Sequence, residues 1–358
     1  MKNHPPTWKH QFASDNASAI CPAVWDALAA ANGDAGASFA IGYGDDDVTA
    51  EAIGMIQALF ETDCDVFFVY GGTAANALAL SALCTSYHGL ISHRSAHAIC
   101  DETNSPEFFT GGMKIVAVDG DAGKIDPALL PAILDNGNRI HSAKMRAVTL
   151  TQSTEAGTVY TVDEVRAITK LKEAYADLDL KFHMDGARFA NAMAAHPDVT
   201  PKEITWQSGI DVLTFGATKN GAPASEAIIF FDRELARDFQ WRRKQAGQLA
   251  SKMRYLAAPW LGLLSNDVWR TNAAHANRQT AKLATGFDAL PGVQVCFPAE
   301  ANMVFTNLPE SLALGLKQRG WAFKYDPWFN ATRFMCSWGT TDEAVEAILT
   351  DARELHDG

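Results

Sequence analysis

The chain has 358 residues, of which 47% are hydrophobic and 20% are charged, a composition typical of a globular protein with a substantial core. Its 30 basic and 42 acidic side chains give a net charge of −12, and no basic run stands out. Nucleic acids and anionic membranes are therefore not expected partners, because both recruit clustered positive charge. The N-terminal segment lacks the apolar stretch of a secretory signal, and no run is long enough to span a membrane. These features predict a cytoplasmic protein.

The cysteines show no Cys-x-x-Cys spacing and mostly lie within apolar stretches. They predict buried free thiols in a reducing compartment, without a disulfide framework and without a metal site. The six positions are Cys21, Cys64, Cys84, Cys100, Cys296 and Cys336.

Residues 1–20 are predicted to form an arm without regular structure, and the segment 33–47 is predicted to be a loop. Further along the chain, apolar runs alternate with amphipathic stretches. The predicted helices are 21–31, 48–61, 74–87, 126–134 and 161–174, and the predicted strands are 65–70, 89–92, 113–118, 145–151, 180–184, 210–215 and 226–231. The strands are rich in Val, Ile and Phe and do not alternate with polar residues, which suits a sheet buried on both faces. The βα alternation predicts a mostly parallel α/β sheet of seven strands between layers of helices.

The pattern changes in the last third of the chain. Long helices are predicted at 235–251 and 268–290, with Pro259 between them. The remaining predicted elements are strands at 293–297, 302–308, 321–325 and 333–337 and helices at 310–319 and 341–355. We divide the chain into an N-terminal arm with the first helix (1–30), a large domain (31–265) and a smaller α+β domain (266–358).

Two of the predicted strands end in residues that suggest chemistry. Lys219 follows the strand at 210–215 within a loop of Gly, Ala and Thr, and Asp185 ends the strand at 180–184. Desolvation disfavours the ammonium form of a lysine, so such a lysine can become a neutral amine that forms an imine. An aspartate nearby would suit a cationic ring nitrogen, and the two together match the protein's part in pyridoxal-phosphate chemistry. By itself the pair is equally compatible with a structural ion pair or with two unrelated loop residues.

A possible phosphate anchor lies upstream. The strand at 65–70 is followed by Gly71-Gly72-Thr73 and then by a helix. Glycines let backbone N–H groups approach a phosphate at a helix N-terminus, and Thr73 adds a hydroxyl. The alternative is an ordinary turn in which Thr73 caps the helix. Neither the dinucleotide fingerprint nor the nucleotide-binding loop that ends in Gly-Lys-Ser/Thr is present, so a nucleotide is not favoured.

Taken together, the motifs resemble those of the low-specificity threonine aldolases, a branch of the aspartate-aminotransferase-like (fold type I) pyridoxal-phosphate enzymes. The closely related phenylserine aldolases share them, so both activities stay open. The resemblance covers nearly the whole chain. Its motifs, in the family's order, are Phe12-Ala-Ser-Asp-Asn16, Tyr43-Gly-Asp-Asp46, Gly72-Thr-Ala-Ala-Asn76, Ala96-His97, Gln152-Ser-Thr-Glu-Ala-Gly-Thr158, His183-Met-Asp-Gly-Ala-Arg188, Thr218-Lys-Asn-Gly221, Arg243-Lys244 and Arg333-Phe-Met-Cys-Ser-Trp338.

The resemblance implies a role for each matching residue around the cofactor. Lys219 would carry pyridoxal 5′-phosphate covalently, Asp185 would hold the ring nitrogen protonated, and His97 would stack on the ring and serve as a candidate base for the substrate hydroxyl. Arg188 would lie near the cofactor hydroxyl or the substrate carboxylate, unless it forms a salt bridge with Asp185. The remaining cofactor contacts are assigned to Gly72, Thr73, Ala74, Thr218 and Arg243.

For the substrate, the resemblance implies that Arg333 grips the carboxylate with two parallel hydrogen bonds, assisted by Ser14 of the arm. Tyr43 and Arg243 match segments that reach the active site of a neighbouring subunit, which implies a homodimer or homotetramer with shared sites. The segment from Gln152 to Thr158 departs from the Asn-Thr-His version of many family members, so a cofactor contact from Gln152 or Thr154 is left open.

The predicted reaction is retro-aldol cleavage of an L-β-hydroxy-α-amino acid to glycine and an aldehyde. The alternative functions are an aminotransferase, a β-eliminating lyase, a serine hydroxymethyltransferase-like enzyme and a catalytically silent protein of the same fold. No folate site is evident in the sequence for the third of these. Aromatic residues that precede Arg333 would either accept an aryl side chain or simply pack the small domain.

Overall fold

The computed structural model describes residues 10–33, 39–137 and 139–357. Two parts of the predictions lie outside the described residues, namely the first nine residues of the arm and positions 34–38 of the loop.

The strands are β1 (His10–Gln11), β2 (Asp65–Val69), β3 (His88–His93), β4 (Lys114–Val118), β5 (Lys144–Thr151), β6 (Lys181–Gly186), β7 (Val212–Gly216), β8 (Glu226–Phe230), β9 (Gln294–Val295), β10 (Met303–Asn307), β11 (Trp321–Ala322), β12 (Lys324–Asp326) and β13 (Ala331–Met335). The helices are α1 (Pro22–Asn32), α2 (Asp47–Phe60), α3 (Gly72–Leu83), α4 (His97–Cys100), α5 (Ser105–Thr110), α6 (Leu130–Asn136), α7 (Val162–Thr169), α8 (Leu171–Ala174), α9 (Phe189–Ala195), α10 (Pro201–Ile204), α11 (Phe239–Gln245), α12 (Arg254–Leu264), α13 (Val268–Asp288), α14 (Glu310–Gln318) and α15 (Asp342–Asp357).

The large sheet has seven strands in the order β2-β8-β7-β6-β5-β3-β4. Neighbours from β7 to β4 run parallel, whereas β8 runs antiparallel to both β7 and β2. Because both β7 and β2 run antiparallel to β8, β2 points in the same direction as β7. The carboxyl ends of β2, β3, β6 and β7 therefore meet at one edge of the sheet, which is where such sheets bind ligands. The mostly parallel seven-stranded sheet is confirmed.

Successive residues of the central strands are buried in different cores. Val212 and Ile228 pack with the apolar face of α3, whereas Leu213 and Ile229 pack in a second core with residues of α1, α2 and α12. Side chains of a strand alternate between the two faces of a sheet, so helices cover both faces. This double burial explains the apolar runs without alternation that identify the strands in the sequence.

The C-terminal part contains a four-stranded antiparallel sheet in the order β12-β13-β10-β9. Its apolar side packs in a core with residues from α13, α14 and α15. The N-terminal segment joins this core, since the fully buried Phe12 ring lies 5.9 Å from the Trp321 ring. Backbone hydrogen bonds from Phe12 N to Ala322 O (2.6 Å) and from Met335 N to Phe12 O (2.8 Å) fix it there.

The structure corrects two predictions at the ends of the chain. The described part of the arm is not irregular, because β1 pairs in parallel with β11 and a 3₁₀ turn covers Asp15–Ala17. The predicted strand at 321–325 is two strands, because β11 pairs with β1 while β12 pairs with β13.

Two helix predictions were also wrong. The predicted helix at 235–251 is only α11 preceded by a 3₁₀ turn, and it ends before Gly247, whose φ of 71° is left-handed. Pro259 does not separate two helices but lies inside α12. A proline inside a helix costs roughly 3 kcal/mol. Burial of Trp260 and Leu263, together with the close approach of Gly262 to α1, compensates for this cost.

Among the residues that the structure describes, no helix combines the length and the apolar character needed to cross a membrane.

The loops after β6 and β7 touch at Gly216, and this contact yields a prediction. A Cβ atom at Gly216 would lie 2.5 Å from the Ala187 carbonyl oxygen, so Gly216→Ala must push apart the carboxyl ends of β6 and β7, which position Asp185 and Lys219. We expect a loss of about 1–3 kcal/mol in the free energy of unfolding. Urea denaturation of the cofactor-free protein measures it.

The matched control is Gly54→Ala, where nothing lies within 4 Å of the added Cβ on an exposed face of α2. This variant should gain about 0.5–1 kcal/mol, because alanine favours a helix. An unchanged urea midpoint for Gly216→Ala would show that the two loops are free to separate.

Candidate active site

Lys219 lies in a 3₁₀ turn, Thr218–Asn220, directly after β7. Its side chain is half-buried, and within the described ranges its Nζ makes no hydrogen bond or ion pair. Gly221 closes the turn with a φ of 106°, a conformation that favours glycine. The amine is therefore held at the edge of the sheet without a partner of its own.

The helix α3 begins beside this edge. Gly71 is its N-cap, and Ala75 N is the first amide to donate within the helix, to Gly71 O at 3.0 Å. The amides of Gly72, Thr73 and Ala74 thus point out of the helix end. Cβ atoms built at Gly71 and Gly72 would meet nothing within 4 Å, so the space in front of them is open. This end of α3 suits an anion such as a phosphate.

Asp185 is the penultimate residue of β6 and is buried. Its Oδ2 accepts a hydrogen bond from Asn76 Nδ2 at 2.9 Å, and its Oδ1 accepts one from Ala187 N at 3.1 Å. Asn76 belongs to α3, so the carboxylate and the helix that starts at Gly72 are joined by a single side chain. The amide oxygen of Asn76 accepts from Thr214 Oγ1 at 2.9 Å.

His97 begins α4, in the segment that follows β3. Its Nδ1 lies 2.8 Å from Oε1 of Glu102, whose side chain is fully buried, whereas the imidazole is 31% exposed. The hydrogen bond to Glu102 raises the pKa of His97 against the opposing effect of burial, and burial raises the pKa of Glu102. Glu102 Oε1 also accepts from Asn76 Nδ2 at 2.8 Å, which connects His97 with Asp185.

Arg188 forms a salt bridge, but with a different residue from the one considered in the sequence analysis. Its partner is Asp15 of the N-terminal segment, not Asp185, with Nε–Oδ2 and Nη2–Oδ1 distances of 2.7 and 3.2 Å. Both side chains are buried. Burial alone would raise the pKa of Asp15, but the charges of Arg188 and Lys219 lower it overall. Asp15 also accepts from Asn302 Nδ2 at 3.0 Å.

Arg333 lies in the middle of β13 and has donors to spare. Its Nη2 donates to Ala13 O at 3.3 Å, and its Nε is buried with no partner among the residues described. Burial and the Arg188 guanidinium lower its pKa. Ser14 follows Ala13, and its hydroxyl accepts from Asn16 N at 3.2 Å. An unpaired guanidinium of this kind suits a carboxylate ligand.

Two further acids face this edge of the sheet. Glu226 begins β8, and its Oε2 accepts from Ala217 N at 3.2 Å. Burial raises the pKa of Glu226 to about 7, against the lowering effects of Thr218 and Lys219. Glu155 lies 4.0 Å from Arg188 Nη1, and its charge also raises the pKa of His97.

Tyr43 and Arg243 form a separate cluster beside β2, which is two strands away from β7 in the sheet. The Arg243 guanidinium lies 5.2 Å from the centre of the Phe67 ring, and Lys244 Nζ lies 4.8 Å from that of Tyr43. Burial lowers the pKa of Arg243 to about 10, and the charge of Asp45 opposes this shift. Among the described residues, neither Tyr43 nor Arg243 makes a side-chain hydrogen bond or ion pair with the residues around Lys219.

The side chains of Gln152 and Thr154 support their own loop. Gln152 exchanges two hydrogen bonds of 2.9 Å with the backbone of Tyr160. Thr154 Oγ1 bonds Thr158 Oγ1 at 2.8 Å and donates to Ala122 O at 3.0 Å. The polar contact to a cofactor that was left open for either residue is therefore not favoured by their hydrogen bonding.

Sequence reasoning did not assign roles to several residues that complete this network. Asn76 and Asp15 lie inside motifs that carry the resemblance, and Glu102 follows His97 by five residues without belonging to any of them. The partners of these residues come from distant parts of the chain. No spacing rule would have paired them. Glu226 gave no signal beyond a charged residue at the start of an apolar strand.

Three comparisons with known proteins point to the same family of enzymes. Residues 11–310 match the sequence model of the beta-eliminating lyases. The chain is 50% identical over 343 residues to the low specificity L-threonine aldolase of Pseudomonas aeruginosa, covering 96% of this chain and 97% of that protein. It is 48% identical over 345 residues to the enzyme of the same description from Pseudomonas sp., with the same coverage of 96% and 97%.

Among solved structures, a threonine aldolase from Leishmania major superposes with a TM-score of 0.89 at 26% sequence identity, covering 97% of this chain and 99% of that one. A putative aromatic amino acid beta-eliminating lyase/threonine aldolase from Exiguobacterium sp. superposes with a TM-score of 0.72 at 18% identity, covering 96% of both chains, and supports the fold alone.

Proposed function

Because the chain belongs to the beta-eliminating lyase family, among relatives described as low specificity L-threonine aldolases, we propose that it is a pyridoxal-phosphate-dependent aldolase. Its proposed substrates are L-β-hydroxy-α-amino acids, namely L-threonine, L-allo-threonine and L-phenylserine, which it cleaves to glycine and an aldehyde. The observation that carries the proposal is the meeting of Lys219, Asp185 and the N-terminus of α3 at one edge of the sheet.

The residues present suit pyridoxal 5′-phosphate. Lys219 is a half-buried amine without a partner among the described residues. Asp185 is a buried carboxylate that accepts hydrogen bonds from the Asn76 side chain and the Ala187 amide. The amides of Gly72, Thr73 and Ala74 open onto unfilled space. Lys219 would hold the cofactor covalently, Asp185 would keep its ring nitrogen protonated, and the end of α3 would bind its phosphate. When bound, the cofactor supplies an electron sink for the electron pair released at Cα.

The chain's own residues bind and orient the substrate. Arg333 has the spare donors for an α-carboxylate, and Ser14 lies next to the backbone carbonyl that Arg333 contacts. Holding the carboxylate fixes the orientation of the Cα–Cβ bond, and orientation selects which bond breaks. Arg188 supports this arrangement through Asp15, and its Nη1, which makes no hydrogen bond with the described residues, would lie near the cofactor hydroxyl or the substrate carboxylate.

His97 is the proposed base for the β-hydroxyl proton. Its Nδ1 is occupied by Glu102, while Nε2 makes no hydrogen bond with the described residues and belongs to a partly exposed ring. Nε2 takes the hydroxyl proton as the Cα–Cβ bond breaks, which releases the aldehyde. A proton delivered to Cα completes glycine.

We also infer a homodimer or homotetramer whose sites are shared between subunits. Arg243 lies over Phe67 of β2 and Tyr43 lies beside Lys244, and neither contacts Lys219 among the described residues, so they would serve the site of a neighbour. The same surface exposes large aromatic side chains: Tyr70 is 67%, Tyr43 51% and Trp241 72% exposed. Clustered exposed aromatic residues are typical of protein interfaces.

The direct test is to incubate the purified enzyme and pyridoxal phosphate with each of the three proposed substrates and to measure glycine and aldehyde. We expect equal amounts of both products without any added keto acid. Borohydride reduction followed by peptide mapping should then find the pyridoxyl group on Lys219. Release of ammonia with a keto acid would favour a β-eliminating lyase, and a need for a keto-acid acceptor would favour an aminotransferase. An adduct on another lysine would contradict the proposed site.

Asp185→Asn should retain bound cofactor but lose most of its turnover, because the ring nitrogen would no longer be held protonated. The loss should be on the order of several kcal/mol of transition-state stabilisation, measured as kcat at saturating substrate. The absorbance of bound cofactor checks that the site is still filled. Near-normal turnover would show that Asp185 has only a structural role.

Shared sites predict complementation between two inactive variants. Mixing Lys219→Ala with Arg243→Ala should restore part of the activity, because some mixed dimers contain one site with both residues intact. Subunit exchange is verified by mass spectrometry of differently tagged chains. If exchange occurs and activity does not return, or if a monomer is fully active in sedimentation at assay concentration, each chain builds its own site.

A further inference from the structure

One asparagine connects the two acid groups of the site. Both N–H bonds of the Asn76 amide are in use, with Nδ2 2.8 Å from Glu102 Oε1 and 2.9 Å from Asp185 Oδ2. Its Oδ1 accepts from Thr214 Oγ1 at 2.9 Å. An amide offers two donors and an acceptor with two lone pairs, so the hydroxyl fixes which end faces the carboxylates.

The hydrogen bond between His97 and Glu102 fixes a tautomer. An ionised carboxylate only accepts, so Nδ1 of His97 carries the proton that lies between the two groups. When the ring is neutral, its lone pair is therefore on Nε2. The Glu102 side chain is fully buried, and among the described residues it is the only hydrogen-bond partner of the imidazole.

We propose that Glu102 and Asn76 are positioning residues for His97. Glu102 selects the imidazole tautomer with a free Nε2, and Asn76 keeps Glu102 in its carboxylate form next to Asp185. This inference rests on the proposed aldolase reaction, since it identifies what prepares the base of that reaction. It assigns Asn76 a function beyond its place in the helix that begins at Gly72.

The reason that Asn76 matters is electrostatic. Glu102 and Asp185 are two buried carboxylates joined by one amide, and like charges in a buried site favour protonation of one of them. Burial already raises the pKa of Glu102, and the charge of Asp185 adds to this effect. The hydrogen bond from Asn76 lowers the pKa of Glu102, so loss of the amide would make Glu102 easier to protonate. A protonated Glu102 would no longer stabilise the imidazolium form of His97.

Other charges act on His97 as well and must stay constant in the test. The acids that raise the pKa of His97 are Glu102, Asp185 and Glu155. Asp101 precedes Glu102 in the chain but is exposed to solvent. Asp101→Asn is therefore a matched control that removes one carboxylate at the neighbouring position without touching the network.

The experiment measures the rate at which diethylpyrocarbonate modifies His97 as a function of pH, in the full chain with and without pyridoxal phosphate. The reagent attacks only neutral imidazole, and peptide mass spectrometry resolves each histidine. His141, which is exposed, serves as an internal reference. In Glu102→Gln, an isosteric change, the profile of His97 should move to lower pH while that of His141 stays the same.

Activity supplies the second readout. We expect kcat of Glu102→Gln to fall by roughly 10²-fold with little change in KM, because the base is misplaced while the carboxylate site at Arg333 is intact. Asn76→Ser should shift the His97 profile in the same direction, and the double variant should shift it no further than Glu102→Gln does. If Glu102→Gln does not fold, Asn76→Ser carries the same prediction.

The proposal is overturned if the His97 profile is unchanged in Glu102→Gln, or if Asp101→Asn shifts it equally. Residues with a purely structural role would lower the unfolding midpoint and leave the profile of His97 in place. These results do not depend on catalysis. Failure of the wild-type protein to release aldehyde would therefore reject the proposed reaction without deciding the roles of Asn76 and Glu102.

Discussion

The buried ion pair between Asp15 and Arg188 connects three separate parts of the chain. Asp15 belongs to the N-terminal segment, Arg188 follows β6, and Asn302, just before β10, donates to the same carboxylate. Removing one partner of a buried ion pair leaves an unpaired charge and costs about 3–5 kcal/mol. The pair therefore holds the N-terminal segment and the small sheet in place beside the loop that begins at Asp185.

This pairing also reduces the number of Arg188 donors that are available for a ligand. Arg188 and Arg333 lie close enough for the Arg188 charge to lower the pKa of Arg333. Asp15 accepts from Nε and Nη2 of Arg188, whereas Nε of Arg333 is buried without a partner among the described residues. A substrate carboxylate at Arg333 would offset both the burial of that guanidinium and its repulsion by Arg188. The proposal that Arg333 binds the substrate carboxylate is thus supported in part by a contact made by a different residue.

The sequence was most informative where one strand or one turn determines the outcome. The seven strands of the large sheet are recognisable because both their faces are buried, and Lys219 and Asp185 stand out because polar residues follow an apolar strand. The sequence was least informative where contacts between distant segments determine the local structure or the partner of a side chain. The helix around Pro259 exists because Trp260 and Leu263 are buried, which outweighs the local cost of proline. The partner of Arg188 could not be found from spacing, because Asp15 lies 173 residues earlier in the chain.

The buried acids of the site also explain why a single motif gives little evidence of function, since each acid depends on partners from other segments. Asp15 depends on Arg188, Glu102 on His97 and Asn76, and Glu226 on Thr218 and the Ala217 amide. A buried charge is tolerated only when its partners are in place, so none of these side chains has a stable position by itself. The net charge of −12 says nothing about this arrangement. What matters is that these buried acids have partners, whereas among the described residues Lys219 Nζ makes no hydrogen bond or ion pair and Arg333 Nε has no partner.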